Sequence, residues 1–227
     1  MKSILIKDRI AELQLLPDKA IYWPEHEALL VADVHLGKAA AFRAHSIAVP
    51  GGTTRNDLER LTALINRCQA KQVYILGDMW HAKEGLAPQT MDVIREWREK
   101  QQSLNVVLVK GNHDRKCGPL PVDLRIESVD EPLQLGPLHL VHDPHKAVGE
   151  YSLAGHIHPC VRLEGAAFVS HRLPCFWFGE RVGVLPAFGS FTGCARVLPE
   201  ENDRVFVIVE GNVIEMPVPR PAHQSVC

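Results

Sequence analysis

No apolar run in this chain approaches the ~20 residues that a membrane-crossing helix needs, and its first residues, Met1-Lys2-Ser3-Ile4-Leu5-Ile6-Lys7-Asp8, lack the long apolar core of a secretory leader. The sequence therefore predicts a soluble, cytoplasmic protein with no membrane partner. Cys-x-x-Cys pairs are also missing, since Cys68, Cys117, Cys160, Cys175, Cys194 and Cys227 fall at wide, irregular intervals. That spacing argues against a zinc knuckle and against a compact disulfide framework, and it predicts reduced structural thiols. Charge of one sign is not in excess, with a formal net charge of -2, so any contact with a polyanion must come from a local patch or from bound metal. Internal repeats and low-complexity segments are absent. What remains is a chain of 227 residues, 46% hydrophobic, long enough for one sizeable core. The expectation is one domain over residues 1–216 and a loose, Pro-containing tail over 217–227.

In the first half, short apolar runs at Leu13 to Leu16, Ala20 to Trp23 and Ala28 to Ala32 are separated by Pro17-Asp18 and Pro24-Glu25, which predicts strands joined by tight turns. An Ala-rich stretch, Ala39 to Ala48, predicts a short helix or ordered loop. After Pro50-Gly51-Gly52, Thr53 or Thr54 is placed to cap a helix carrying Leu58, Leu61, Ile65 and Cys68 at helical spacing. Val73 to Leu76 forms the next strand, and Pro88 to Gln101 a further helix with Met91, Ile94 and Trp97 on one face. The long run Val106-Val107-Leu108-Val109 follows. Alternating strands and helices favour right-handed crossovers and a largely parallel sheet whose carboxyl edges gather in one place. From Leu138 onward the apolar runs shorten (Leu138 to Val141, Val161 to Leu163, Cys175 to Phe178, Val182 to Leu185, Val205 to Val209, Val213 to Met216), which predicts an antiparallel second sheet.

The chemistry lies at the strand ends. Asp33 and His35 follow one run, Asp78 another, and Gly111-Asn112-His113-Asp114 a third; His142 ends the run from Leu138, and His156 and His158 come two residues apart after Gly155. Spacing by two would put Asp33 and His35, or His156 and His158, on one face of a persisting strand. A lone histidine is most often a satisfied core residue, but five strand ends of this kind point to a ligand site at the carboxyl edge of an open sheet. Imidazole and carboxylate donors suit Mn, Fe, Zn or Ni, and the missing thiolates argue against a closed structural zinc site. Seven candidate ligands are too many for one ion. They divide between two cations sharing one carboxylate, with Asp78 central in the series.

Asp33-x-His35, Gly77-Asp78, Gly111-Asn112-His113-Asp114 and Gly155-His156-x-His158 together resemble the calcineurin-like metallophosphoesterases in order and spacing. The resemblance implies an α/β fold, a four-layer αββα sandwich of two mixed sheets flanked by helices, with a binuclear site at one edge. Carried onto this chain, it implies that Asp33, His35 and His158 hold one metal, that Asn112, His142 and His156 hold the other, and that Asp78 bridges. At His142 the family pattern has His-Gly where this chain has His142-Asp143, and His139 and His145 stand nearby as competitors.

Two cations would neutralise a phosphodiester, activate water and stabilise the leaving oxygen. The family places His113 toward the leaving group, where it would act as general acid, oriented by a carboxylate such as Asp33. Asp114 is expected to support the turn.

A narrower wording (Asp33-Val34-His35-Leu36-Gly37-Lys38, Leu76-Gly77-Asp78-Met79-Trp80-His81, Arg172-Leu173-Pro174-Cys175-Phe176-Trp177 and Leu185 to Gly193) is similar to the bacterial ligase-associated DNA-damage-response endonucleases. That branch implies a Mn2+-dependent phosphodiesterase that nicks single-stranded DNA in DNA repair, encoded beside a DNA ligase, a helicase and a second nuclease. Cys194 departs from it, standing where another glycine is frequent. The rival reading is a phosphatase or pyrophosphatase acting on nucleotides or other small phosphoesters. Short gaps between motifs leave little room for an enclosing cap, which favours an open site suited to polymers. Lys38, Arg43 and His81 lie on loops after metal-bearing strands, as substrate-phosphate contacts would. The aromatics Phe176, Trp177, Phe178, Phe188 and Phe191 are expected in the core.

Overall fold

A computed structural model describes residues 1–6, 10–164 and 170–218. The tail expected over 217–227 lies outside the described residues from 219 onward. The first sheet contains β1 (Lys2–Ile6), β2 (Ala11–Leu16), β3 (Ala20–Trp23), β4 (Ala28–Val31), β5 (Gln72–Leu76), β6 (Asn105–Val109) and β7 (Glu127–Val129), paired in chain order. Its first four strands run antiparallel and its last four, sharing β4, run parallel. The helices α1 (Lys38–Ala44), α2 (Thr53–Cys68), α3 (Pro88–Lys100) and α4 (Asn112–Cys117) fall between these parallel strands.

The second sheet is built from β8 (Leu133–Leu135), β9 (Leu138–Leu140), β10 (Ser152–Ala154), β11 (Pro159–Glu164), β12 (Ser170–Phe178), β13 (Val182–Val184), β14 (Ala195–Arg196), β15 (Arg204–Val209) and β16 (Asn212–Met216). Its path is β14-β11-β12-β13-β10-β9-β8, with β15 and β16 branching from β12. Two mixed sheets are thus present, as the family resemblance implies. The expectation of an antiparallel second sheet needs correction, because β9, β10 and β13 pair in parallel. Those three strands are largely apolar and deeply buried, the condition under which parallel pairing is found.

Strand alternation explains the layering. In β4, Leu29 and Val31 face α2 and α3, meeting Leu58, Leu61, Ile65, Met91, Ile94 and Trp97; Ala28 and Leu30 face the second sheet, meeting Leu138, Leu153, Phe176 and Phe206. β6 splits the same way, Val106 and Leu108 to the helices, Val107 and Val109 to the other sheet. Strands buried on both faces read as unbroken aliphatic runs, and their polar chemistry is displaced to their ends. Thr53 and Thr54 do not cap α2. Gly52 does, at φ 85°, and the Thr54 hydroxyl instead accepts the Gly37 peptide N–H at 3.1 Å.

Candidate binuclear metal centre

Asp33 and His35 follow β4, Asp78 follows β5 and Asn112 and His113 open α4 after β6, while His142 follows β9 and His156 and His158 lie between β10 and β11. The expectation that residues two apart share a strand face does not hold. Asp33 (φ 53°), His35 (φ 49°), Asp78 (φ 50°), His156 (φ 71°) and His158 (φ 52°) all adopt the left-handed conformation. Eleven described non-glycine residues have positive φ, and these five are among them. Such backbone is costly, persists only where surroundings over-determine it, and concentrates at functional sites.

Two glycines make the convergence possible by close approach. A Cβ on Gly77 would strike the His142 ring, and one on Gly111 would strike the Asp78 carboxylate and peptide nitrogen. Gly111→Ala is therefore expected to push Asp78 out of place and lower metal affinity while circular dichroism stays native. Unchanged affinity in a metal titration would contradict this.

Three donor groups result, of which one, His35, His81 and His113, has no carboxylate and two have one. In the two with a carboxylate, Asp33, His35 and His158 bring one ligand atom each within 4.8 Å of the others, and so do Asp78, His142 and His156. In the first, His158 Nε2 stands 3.4 Å from His35 Nε2 and 3.3 Å from Asp33 Oδ1, an oxygen that is buried and carries no hydrogen bond. In the second, His142 Nε2 lies 3.0 Å from Asn112 Oδ1, 3.0 Å from His156 Nδ1 and 3.5 Å from Asp78 Oδ1.

The tautomers fit metal binding. His142 Nδ1 donates to Leu76 O at 3.0 Å and His158 Nδ1 to Gly193 O at 3.2 Å, so each turns an Nε2 lone pair inward. Lone pairs converging on one another, with a buried orphan carboxylate oxygen among them, suit cations better than they suit one another. His139 and His145 take no part in any of the three donor groups.

Of the shifts at the site, that of His35 agrees with this, whereas those of Asp78 and His158 favour the protonated forms that a cation would displace. Burial, reinforced by Lys38, lowers His35 to about 2, so its ring is neutral and open to a cation. Burial raises Asp78 above the usual carboxylate range. For His158, burial opposes a charge but the Asp33 carboxylate outweighs it, and the net shift is upward. Lys38 is lowered by burial, with Asp33 partly offsetting this.

His113 donates its peptide N–H to Asp78 Oδ1 at 2.9 Å, and its Nδ1 donates to His81 O at 2.5 Å, leaving Nε2 3.9 Å from Asp78 Oδ2. The expectation that Asp33 orients His113 is corrected here. The His81 carbonyl does so, while Asp33 Oδ2 accepts the His156 peptide N–H at 2.9 Å and ties the two carboxylate-containing donor groups together. The His81 ring stacks on His113 at 5.3 Å and 19°. Burial, with Lys38 and His113, lowers His81 to about 4, so it meets a substrate as a neutral ring. Asp114 supports the turn as expected, accepting from Trp80 N at 3.0 Å and Gly111 N at 2.8 Å. Arg43 is exposed and donates to Pro50 O at 3.3 Å, at the α1–α2 cleft rather than among the donors.

Two supports escape a sequence reading because their motifs are unremarkable. Glu131, nearly buried, accepts the peptide N–H of His142 at 2.8 Å and of Asp143 at 3.0 Å and pairs with Lys146 at 2.7 Å. Burial alone would raise its carboxyl, but these donors hold it below the usual range. Glu131→Ala removes the acceptor for two N–H groups and is expected to cost about 1–3 kcal/mol of stability and about 10- to 100-fold in metal affinity. Urea unfolding and metal titration check both. Asp57, on α2, accepts Ser190 N at 3.1 Å, and Arg60 lies 4.0 Å over the Phe188 ring, so the helix grips the segment after β13.

That segment also corrects the cysteine expectation. Cys160 and Cys194 form a disulfide, which joins the residue two after His158 to the loop whose Gly193 carbonyl orients it. Phe176, Phe178 and Phe188 are buried as expected, but Phe191 is exposed beside Phe42, at the edge of the histidine cluster.

Two mixed sheets with imidazole and carboxylate donors gathered over their edges define a metal-dependent phosphoester-cleaving class of fold. The calcineurin-like phosphoesterase profile matches residues 27–173, and the chain belongs to that family. It is accordingly a hydrolase of phosphoester bonds that uses divalent metal. The crystal structure of Pseudomonas putida nuclease MPE is similar at 42% identity and TM-score 0.82, covering 95% of this chain and 100% of that one. This agrees with the ligase-associated branch of the family. YfcE, a phosphoesterase from E. coli, is similar at 17% identity and TM-score 0.44 over 85% of this chain and 99% of its own. A search of curated protein sequences finds no match. No helix among the described residues is long and apolar enough to cross a membrane.

Proposed function

We propose that this protein is a binuclear DNA endonuclease that cuts phosphodiesters, single-stranded DNA above all, in bacterial DNA repair, with Mn2+ as the working ion. The observation carrying this reading is the pair of three-residue donor groups around Asp33 and Asp78, in a chain 42% identical to a nuclease. Asp33, His35 and His158 would hold one divalent ion, Asn112, His142 and His156 a second, and Asp78 would bridge them. When bound, such a pair supplies charge neutralisation for the diester and an activated water for in-line attack.

The chain's own residues do the rest. His113, with Nδ1 fixed on the His81 carbonyl, presents Nε2 as the atom that would give a proton to the leaving oxygen. Lys38, at the start of α1, and His81, whose ring lies 5.3 Å from that of His35, would contact flanking phosphates. A ligase, a helicase and a second nuclease are the proposed functional neighbours, supported by the narrower sequence resemblance.

The test is a panel of Mn2+-loaded protein on single-stranded, duplex and hairpin DNA, RNA, nucleotides and bis-aryl phosphodiester. Cleavage of single-stranded DNA and of the diester is expected. Activity on monoesters or pyrophosphates alone would replace this reading with the small-phosphoester one.

A further inference from the structure

We infer that Phe191, braced by Phe42, is a stacking platform for an unpaired nucleobase beside the scissile phosphate. The inference rests on the nuclease reading above and names how that site selects single strands.

Phe191 keeps 37% of its surface exposed, and its ring stands at 90° to that of Phe42, 5.5 Å away. Phe42 lies 5.9 Å from His81, and His81 lies 5.3 Å from both His35 and His113. A continuous series of rings therefore leads from a metal donor and the proposed acid out to an open aromatic. A base lying on this side of a phosphate held at the donors would meet the exposed Phe191 ring.

The exposure does not reflect a loose loop. Phe188 N donates to Ala32 O at 2.8 Å, Gly189 N to Asp33 O at 3.2 Å, and Ser190 N to the Asp57 carboxylate. Thr192 Oγ1 closes on Gly189 O at 2.7 Å, and Cys194 is bonded to Cys160. Phe191 is thus held on a fixed segment at both sides, the preorganisation that makes an exposed aromatic an efficient contact.

Charge argues the same way. With a formal net charge of -2, the chain as a whole exerts no general attraction on a polyanion. Stacking is the other sequence-independent source of affinity for single strands, and it is available only to bases not already stacked in a duplex.

The experiment compares wild type, Phe191→Ala and Phe191→Trp by fluorescence anisotropy, using an oligothymidylate and an abasic deoxyribose-phosphate oligomer of equal length. The readout is the ratio of the two affinities. Wild type is expected to prefer the oligothymidylate, Phe191→Ala to lose about 5- to 100-fold of that preference, and Phe191→Trp to keep most of it. An equal ratio in wild type and Phe191→Ala would overturn the platform and leave the exposed ring to a protein partner. Mn2+-dependent cleavage of the same oligothymidylate is measured in parallel. Cleavage with an unchanged ratio removes the platform and spares the nuclease reading, whereas discrimination between the oligomers without cleavage keeps the platform and removes that reading.

Discussion

Replacing Asp78 with alanine should reduce phosphodiester hydrolysis by about three orders of magnitude or more, because several kcal/mol of charge stabilisation depend on the ions it holds. Asp78 is the residue through which the parts of the site meet. Its Oδ1 accepts the His113 peptide N–H and lies 3.5 Å from His142 Nε2, and its carbonyl accepts His35 N at 2.9 Å. Asp78→Asn separates charge from shape, since an amide oxygen can still accept from His113. A buried carboxyl whose folded pKa is raised binds protons more tightly when folded, so its ionised form disfavours the fold at neutral pH. Metal-free Asp78→Asn is therefore expected to melt no lower than metal-free wild type, while added Mn2+ raises the melting temperature of wild type far more. An Asn variant with wild-type activity would remove Asp78 from the mechanism.

His113→Ala carries the second large effect, a fall in rate of about 10²- to 10⁴-fold with both ions retained. Its side chain meets the site through the His81 carbonyl and the Asp78 carboxylate, not as a member of either donor group containing Asp78 or Asp33. Because a general acid matters less when the leaving group needs no proton, the loss should be larger on DNA than on a bis-p-nitrophenyl diester. Equal losses on the two substrates, with metal still bound, would leave His113 a purely electrostatic role.

Much of this was legible in the sequence. Strands buried on both faces cannot carry polar groups internally, so the aliphatic runs ending at Ala32, Leu76 and Val109 announced both the first sheet and where its chemistry would stand. The positions of Asp33, His35, Asp78, His142, His156 and His158 could be read in this way, and the structure brings them into two groups. Their backbone could not. Spacing by two suggested strand alternation at Asp33 and His35, whereas left-handed φ at each turns the donors instead.

Contacts made across long separations were also hidden. Glu131 acts through peptide N–H groups that any residue supplies, and Cys160 meets Cys194 only because the segment after β13 folds back onto β11. Phe191 looked like its buried neighbours because a ring set between Gly189-Ser190 and Thr192-Gly193 gives no sign of whether its loop turns it inward or outward. The antiparallel expectation for the second sheet failed at β9, β10 and β13 because short runs give no sign of strand direction.

The most direct measurement is the number of Mn2+ ions bound per chain, by equilibrium titration of metal-stripped protein alongside Asp78→Ala. Two ions in wild type, with the affinity of both reduced in the variant, is the expected result. A single ion, or two whose affinities ignore the loss of Asp78, would contradict a shared binuclear centre.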